Sequence, residues 1–452
     1  MALRRLVPVL ALAAMLFDIG APDAGALGLS PAPSGSPVVA PSGPPAPASP
    51  STEVRWRPVD GVLGGAIPML SVGTTTPITW DGRFWALETY ADATPPDGAA
   101  GSATWHDAGV WESVDGASWV RHPLPAAMIG QLTLLPWRRG IAIIEEVRTR
   151  SAGVRWRFRV WMSTDGARWH RSGGLDLRAT GALRGCGFGR TAVTTAGDHL
   201  VAVADCVLFV GAGGDIGPGY RSQASALVAS ATPIPATIPT YTWTSSDGRS
   251  WTRHRVDVRS GHRVNDPWLS EVRAVGDGMA VLTGERQRRL LWSTDGVRFQ
   301  TVADLPDARN PVDDVDATVD GRGTPRTWWI LMDDVSAAQP GHGAPGAVSR
   351  LAPDGTWQVT LRTVWPEQVD IAADGDRLVV VEAAQAGTGA ARGVEVRTST
   401  SIDQGSTWAT STDPTRIDEC EPGVALSSTA AVLACPGPDA AVLLHATLWA
   451  GP

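Results

Sequence analysis

The stretch Ser-Val-Asp-Gly-Ala-Ser-Trp at residues 113–119 is the first of a series of near copies, and this repetition limits what the chain can fold into. Ser-Thr-Asp-Gly-Ala-Arg-Trp follows at 163–169, Ser-Ser-Asp-Gly-Arg-Ser-Trp at 245–251 and Ser-Thr-Asp-Gly-Val-Arg-Phe at 293–299. A shortened copy, Ala-Pro-Asp-Gly-Thr-Trp, lies at 352–357, and Ser-Ile-Asp-Gln-Gly-Ser-Thr-Trp at 401–408 has one extra residue. The aspartates Asp115, Asp165, Asp247, Asp295, Asp354 and Asp403 are separated by 50, 82, 48, 59 and 49 residues. A period near 50 with one long excursion is the spacing of propeller blades.

Each copy has the chemistry of a tight turn. Asp-Gly between apolar runs is a strong hairpin signal, because both residues tolerate positive φ. The serine two residues earlier and the aspartate carboxylate can both bond the turn backbone. If Asp115-Gly116 are the two central residues, Trp111 and Trp119 lie on opposite faces of the sheet, as do Trp161 with Trp169 and Trp243 with Trp251. Upstream of each turn runs a buried-strand pattern: 83–91, 140–147, 199–206, 279–285, 327–334 and 377–384. A shorter apolar stretch precedes most of them, so each repeat reads as four antiparallel strands, A to D, with the turn joining C to D. After the sixth turn three strands remain (GVALSS, AAVLAC, AVLLHATLW), and EVRWRPVD at 53–60 stands alone near the start. Pairing that segment into the last sheet closes the ring and removes an open edge. The fold expected is all-β, a seven-bladed β-propeller, with six or eight blades as the alternatives.

The first fifty residues are of another kind. Arg4 and Arg5 precede the apolar run 6–17, and Asp23-Ala24-Gly25-Ala26 has small residues suited to cleavage. This is the pattern of a secretory signal peptide over 1–26, or of an uncleaved anchor, and it is short for a membrane span. Residues 27–52 are a Pro/Ser/Ala-rich linker, and 53–452 the folded part. An exported, extracytoplasmic protein is therefore expected. In that setting Cys186 with Cys206, and Cys420 with Cys435, placed before strand A and at the end of strand B of one repeat each, are expected to form disulfides. The formal net charge is -8 and every basic residue is arginine. That balance argues against a nucleic-acid partner, which needs clustered basic side chains. No long helix or oligomerisation signal is evident, and a monomer is expected.

The copy at 401–408 matches the pattern Ser-x-Asp-x-Gly-x-Thr-Trp throughout, and on these turns the chain resembles the Asp-box (BNR-repeat) β-propellers, which include sialidases and sortilin-type ectodomains. The resemblance covers residues 53–452. It implies that the turns lie on the face opposite the usual binding face and that the binding face is built from B–C and D–A loops. It does not bring sialidase machinery: the chain has no Arg-Ile-Pro, and its three tyrosines, Tyr90, Tyr220 and Tyr241, all precede the last three repeats.

Strand B ends on an acidic residue in six repeats: Glu88, Glu145 with Glu146, Asp205, Glu285, Asp333 with Asp334, and Glu382. Aligned around a ring, these carboxylates are expected at the channel mouth, able to hold a cation, a basic peptide or sugar hydroxyls. Paired carboxylates are also the minimum for glycosidic acid–base chemistry. Charged strand ends leaving a sheet are equally an ordinary solvated feature. Arg286, Arg288 and Arg289 form a second charged cluster, Trp268 and Trp365 fall in D–A loops, and 209–240 is a Gly- then Pro-rich insertion. Asp313, Asp314, Asp316 and Asp320 miss the calcium-loop spacing, so neither a metal nor another cofactor is expected. No residue set is assigned a catalytic role. The expectation is a binding module for an extracellular glycan, cell-wall polymer or protein, with a glycoside hydrolase or lyase as the alternative.

Overall fold

A computed structural model describes residues 54–59, 70–74, 76–92, 105–125, 128, 131–137, 140–149, 155–177, 187–207, 240–256, 269–283, 288–306, 312–333, 346–364, 368–386, 393–411, 415–417, 422–435 and 442–448. The signal and linker segments, Cys186, Cys420, Trp268, Trp365, Glu285, Arg286, Asp334 and nearly all of the 209–240 insertion lie outside them, as do the side chains of Asp205, Cys206, Asp313 and Asp333.

The described residues form seven antiparallel sheets arranged as a seven-bladed β-propeller and contain no helix. In blade 1, strand A is split into Leu70–Thr74 and Ile78–Trp80, which both pair with strand B, Arg83–Asp92. Strands C (Trp105–Ser113) and D (Val120–Pro123) follow. The next five blades begin with strands A at Gln131–Trp137, Gly187–Ala196, Leu269–Val275, Val312–Val319 and Gln368–Asp374. The thirty-residue excursion falls between strand B of blade 3 (His199–Val207) and its strand C (Thr240–Ser245). Blade 7 has three strands of its own, Gly423–Leu426, Ala430–Cys435 and Val442–Thr447. Its fourth is Arg57–Pro58, antiparallel to Val442–Thr447 with Arg57 opposite His445. The N-terminal strand thus closes the ring, as the surplus of strands predicts. Trp56 Nε1 also donates to Thr398 Oγ1 in blade 6, 2.7 Å away, so the closing segment is tied to two blades.

There is no single central core. Seven hydrophobic clusters form, one at each interface between neighbouring blades. The cluster between blades 1 and 2 joins Trp85, Leu87 and Val110 to Leu132, Leu134, Ile141 and Ile143. Both faces of each sheet are covered, which explains why strand B reads as an unbroken apolar run rather than an alternating one.

The Ser-x-Asp-Gly turns differ from the expected two-residue hairpin by one residue. Glu112 pairs with Val120 and Trp111 with Arg121, so the ladder is centred on Gly116 rather than between Asp115 and Gly116. A one-residue change of register reverses side-chain parity. The paired tryptophans therefore share a face: Trp111 and Trp119 pack on the blade 7–1 cluster, Trp161 and Trp169 on the blade 1–2 cluster, and Trp243 and Trp251 on the blade 2–3 cluster. Only the glycine takes positive φ, +75° at Gly116 and +71° at Gly166. Asp115 instead uses its carboxylate, accepting from the amides of Ala117 (2.9 Å) and Ser118 (2.8 Å), while Ser113 Oγ accepts from Gly116 N. Asp165, Asp247 and Asp295 repeat this arrangement, and Asp403 a version one residue longer. Asp354, with alanine in place of the serine, sits in a plain turn in which it accepts from Thr356. A two-residue turn with positive φ at both positions does occur, at Asp81-Gly82 between strands A and B of blade 1.

Except at Gly355, in the plain turn of blade 5, the turn glycines lie against the preceding blade. A Cβ on Gly166 would sit 2.1 Å from Trp85, one on Gly296 2.5 Å from Val201, and one on Gly405 2.4 Å from Trp329. The indole of the heptad then folds back to donate to the glycine carbonyl, at 2.7 Å for Trp119 and 2.8 Å for Trp169. The motif is a staple between blades.

Candidate functional site

In a blade of four antiparallel strands the A–B and C–D turns lie at one end and the B–C and D–A loops at the other. The carboxylates that end strand B consequently sit away from the aspartate turns. Three of those whose side chains are described, Glu88, Glu145 and Glu382, are turned into the blades. Glu88 is buried and its Oε2 accepts from Trp111 Nε1 and Arg121 Nε, both at 2.9 Å. Glu145, fully buried, accepts from Arg159 Nη1 at 2.9 Å and Trp161 Nε1 at 3.0 Å. Glu382, also fully buried, accepts from the Val364 amide at 2.8 Å. Glu146 is half-buried. None of these four lines the central cavity described next.

The repeat explains the arrangement. The tryptophan two residues before the turn serine lies diagonally across the ladder from the strand B glutamate, since Trp161 is opposite Ile143 and Arg159 opposite Glu145. In blades 3 and 4 the equivalent diagonal positions are Ala204 and Leu282, and there Trp243 Nε1 and Trp292 Nε1 have no hydrogen-bond partner. The acidic strand ends of blades 1 and 2 therefore act as buried acceptors for an indole and an arginine.

The cavity that does open to a ligand is the central channel, about 950 Å³, lined by strand A of all seven blades. Its lining is uneven. Blades 4 to 6 contribute Glu271, Arg273, Asp314, Asp316, Asp370 and Asp374, while blades 1, 2, 3 and 7 contribute threonines, prolines and aliphatic side chains. None of the six turn aspartates lines it, and no aromatic side chain does among the described residues.

Arg273 organises the acidic side. Its Nη1 bonds Asp314 Oδ1 and lies 3.5 Å from Asp370 Oδ1, and its Nη2 donates to the Ile371 carbonyl at 3.1 Å. One guanidinium from blade 4 thus reaches blades 5 and 6. The aspartates also cover the inner edges of neighbouring sheets, whose amides would otherwise be unpaired. Asp316 Oδ2 accepts from Ala373 N of blade 6 at 3.0 Å, and Asp370 Oδ2 from Val424 N of blade 7 at 2.6 Å.

Crowding shifts the protonation of these groups. Burial, opposed by Arg273, pushes Asp316 up to about 6. Asp370 is pushed well above the usual carboxylate range by burial; Arg273 opposes the shift, and the charge of Asp314 and a hydrogen bond between the two carboxyl groups add to it. Burial, offset by Arg377, also raises Asp374.

In the sequence, the run Asp313 to Asp320 reads only as a poor match to a calcium loop. Asp320 belongs to the A–B turn, where it accepts from Arg322 N and Thr324 N. Arg273 and Asp370 carry no local signal at all. Of the arginine cluster after strand B of blade 4, Arg289 pairs with Asp304 at 3.0 Å. Cys435 is fully buried and no cysteine thiol is free among the described residues.

No family model and no curated protein sequence matches the chain. Among solved structures it is similar to an ulvan lyase of polysaccharide lyase family PL25, at 10% identity over 85% of this chain and 95% of that one, with a TM-score of 0.46. It is also similar to Trypanosoma rangeli sialidase (10% identity, 89% and 59%, TM-score 0.40) and to the WD40 domain of SCAP from fission yeast (8%, 87% and 94%, TM-score 0.44). At such identities the likeness is one of fold, and function on a propeller lies in the site rather than the scaffold.

Proposed function

We propose that this protein is an exported binding module whose central channel receives a positively charged group of a protein or peptide partner outside the cytoplasm. The observation that carries this reading is the channel lining, where five carboxyl groups accompany one arginine in about 950 Å³. A cleft lined mostly by one sign of charge, with low-dielectric walls, concentrates the opposite charge. The same lining, with the net charge of -8, disfavours nucleic acid as partner. Among the described residues the lining has no aromatic side chain, which disfavours a sugar ring in the channel itself, since such sites usually offer an aromatic face. The serine–aspartate–glycine turns support placing the chain with the Asp-box propellers, and residues 1–26 and 27–52 read as signal peptide and tether. The strand B carboxylates contribute indirectly, by fixing the blades that hold strand A.

Hydrolysis is less well supported by the geometry. Glycosidic catalysis needs a free carboxyl group on each side of the scissile bond, whereas Asp314 and Asp370 are both engaged by Arg273 Nη1 and by backbone amides. The test is a fluorescence anisotropy titration of the purified exported protein with labelled oligolysine and oligoglutamate, run beside a panel of chromogenic glycosides. Oligolysine alone is expected to bind, more weakly in high salt and in Asp314→Asn. Glycoside turnover abolished by Asp314→Asn, or preferential binding of oligoglutamate, would overturn the reading.

A further inference from the structure

The acidic channel cluster does not by itself choose between cations, but three features of its surroundings do. The first is that the planar slot is already filled. Arg273 spans Asp314, Asp370 and the Ile371 carbonyl with its own guanidinium, so the fork geometry that would receive a second arginine is occupied. The second is a set of unmet polar atoms. Thr194 lines the cavity from blade 3, is only 2% exposed, and its Oγ1 has no hydrogen-bond partner. Asp314 Oδ2 is buried and receives no donor from any backbone amide, arginine or hydroxyl. A buried hydroxyl left unpaired is costly, and in a native site it calls for an explanation. The third is the opposite wall, where Ile78, Leu135, Val193 and Val424 give an aliphatic surface without an aromatic face.

Resting on the reading of the channel as a cation site, we infer that it selects an aliphatic ammonium of the lysine side-chain type over a guanidinium. A compact ammonium with three donors suits scattered acceptors such as Asp314, Asp316 and Thr194, and its methylene stem suits the aliphatic wall. The charged groups facing the site are Arg273, which favours ionisation of Asp316 and Asp370, and Asp314, which opposes it. Glu271 and Asp374 line the same cavity, and the amides of Ile371 and Val424 stabilise the ionised form of Asp370. The chain contains no lysine, so no lysine side chain of its own or of a second copy can fill the site.

Isothermal titration calorimetry with N-acetyl-lysine methylamide and N-acetyl-arginine methylamide tests this. The lysine derivative should bind more tightly. Its affinity should fall on acidification, as the carboxyl groups of Asp316 and Asp370, both raised by burial, take up protons. Thr194→Val, a near-isosteric change, should weaken binding by about fivefold, one hydrogen bond's worth, without lowering the melting temperature of the unliganded protein. Equal or tighter binding of the arginine derivative overturns this inference and leaves the cation-binding reading standing. If neither derivative binds and oligolysine also fails, both fall together.

Discussion

The stapling role of the turn glycines can be tested with a graded series at positions that are equivalent in sequence. Gly166, Gly405, Gly116 and Gly355 all have positive φ, +71°, +70°, +75° and +85°. Alanine at any of them pays for a left-handed backbone, roughly 1–2 kcal/mol. Their surroundings then separate them. A Cβ at Gly355 meets nothing within 4 Å. At Gly116 it comes to 3.0 Å from Val432 Cγ2, a contact that a small shift relieves. At Gly166 it lies 2.1 Å from the ring of Trp85, which is 1% exposed, and at Gly405 2.4 Å from that of Trp329, which is fully buried. Neither indole has room to retreat, so an overpacking cost of about 1–3 kcal/mol adds to the backbone term. Gly355→Ala should thus cost about 1–2 kcal/mol from the backbone alone. Gly166→Ala and Gly405→Ala should cost about 3–4 kcal/mol, and Gly116→Ala should fall between. Urea unfolding followed by tryptophan fluorescence, with the midpoint compared across variants, measures the order. Equal losses at all four positions would show that φ alone matters and that the turns do not clamp the blades.

Other expectations concern charge and covalent closure. Asp316 titrates higher in the folded protein than its ordinary 3.8, at about 6, so its contribution to stability is present at low pH and is lost as pH rises from about 4 through 6. Asp316→Asn keeps the acceptor for Ala373 N and should remove that loss, seen as a flatter melting temperature across this range. His445, opposite Arg57 on the closing strand, is held below 6.5 by burial and by Arg57, against the pull of Asp115. Its contribution is complete above 6.5 and declines as pH falls through that value, and His445→Gln should remove the decline when followed by hydrogen exchange of the N-terminal strand. Glu145→Ala leaves Arg159 and Trp161 unpaired and should cost about 2–3 kcal/mol in urea unfolding; a loss below 0.5 kcal/mol would contradict its role as a buried acceptor. Mass spectrometry of unreduced protein should find Cys186–Cys206 and Cys420–Cys435, and four free thiols would refute both bonds.

The blade plan was readable because it is encoded locally and repeatedly. The turn heptads mark the C–D corners, the apolar runs mark strand B, and the surplus N-terminal strand announces the closure that Arg57 and Pro58 make with blade 7. The strand B carboxylates were equally visible, but their use was not. Whether Glu145 faces a channel or an indole depends on the diagonal neighbour Trp161, which belongs to another strand. A single residue of register in the turn likewise reversed the expected faces of Trp111 and Trp119, because parity in a hairpin depends on where the ladder is centred.

The candidate site was decided by the ring. Arg273, Asp314 and Asp370 come from three blades, and each is an ordinary charged residue in its own strand. Only closure of the seven sheets brings them around one cavity, where burial and the charge of Asp314 push Asp370 above the usual carboxylate range. Local turn chemistry and hydrophobic period therefore determined the architecture of this protein, since they act between residues a few positions apart. The chemistry of its channel arises between residues 41 and 56 positions apart, from 273 to 314 and from 314 to 370, and long-range electrostatics in a shared low-dielectric space leaves no local pattern to read.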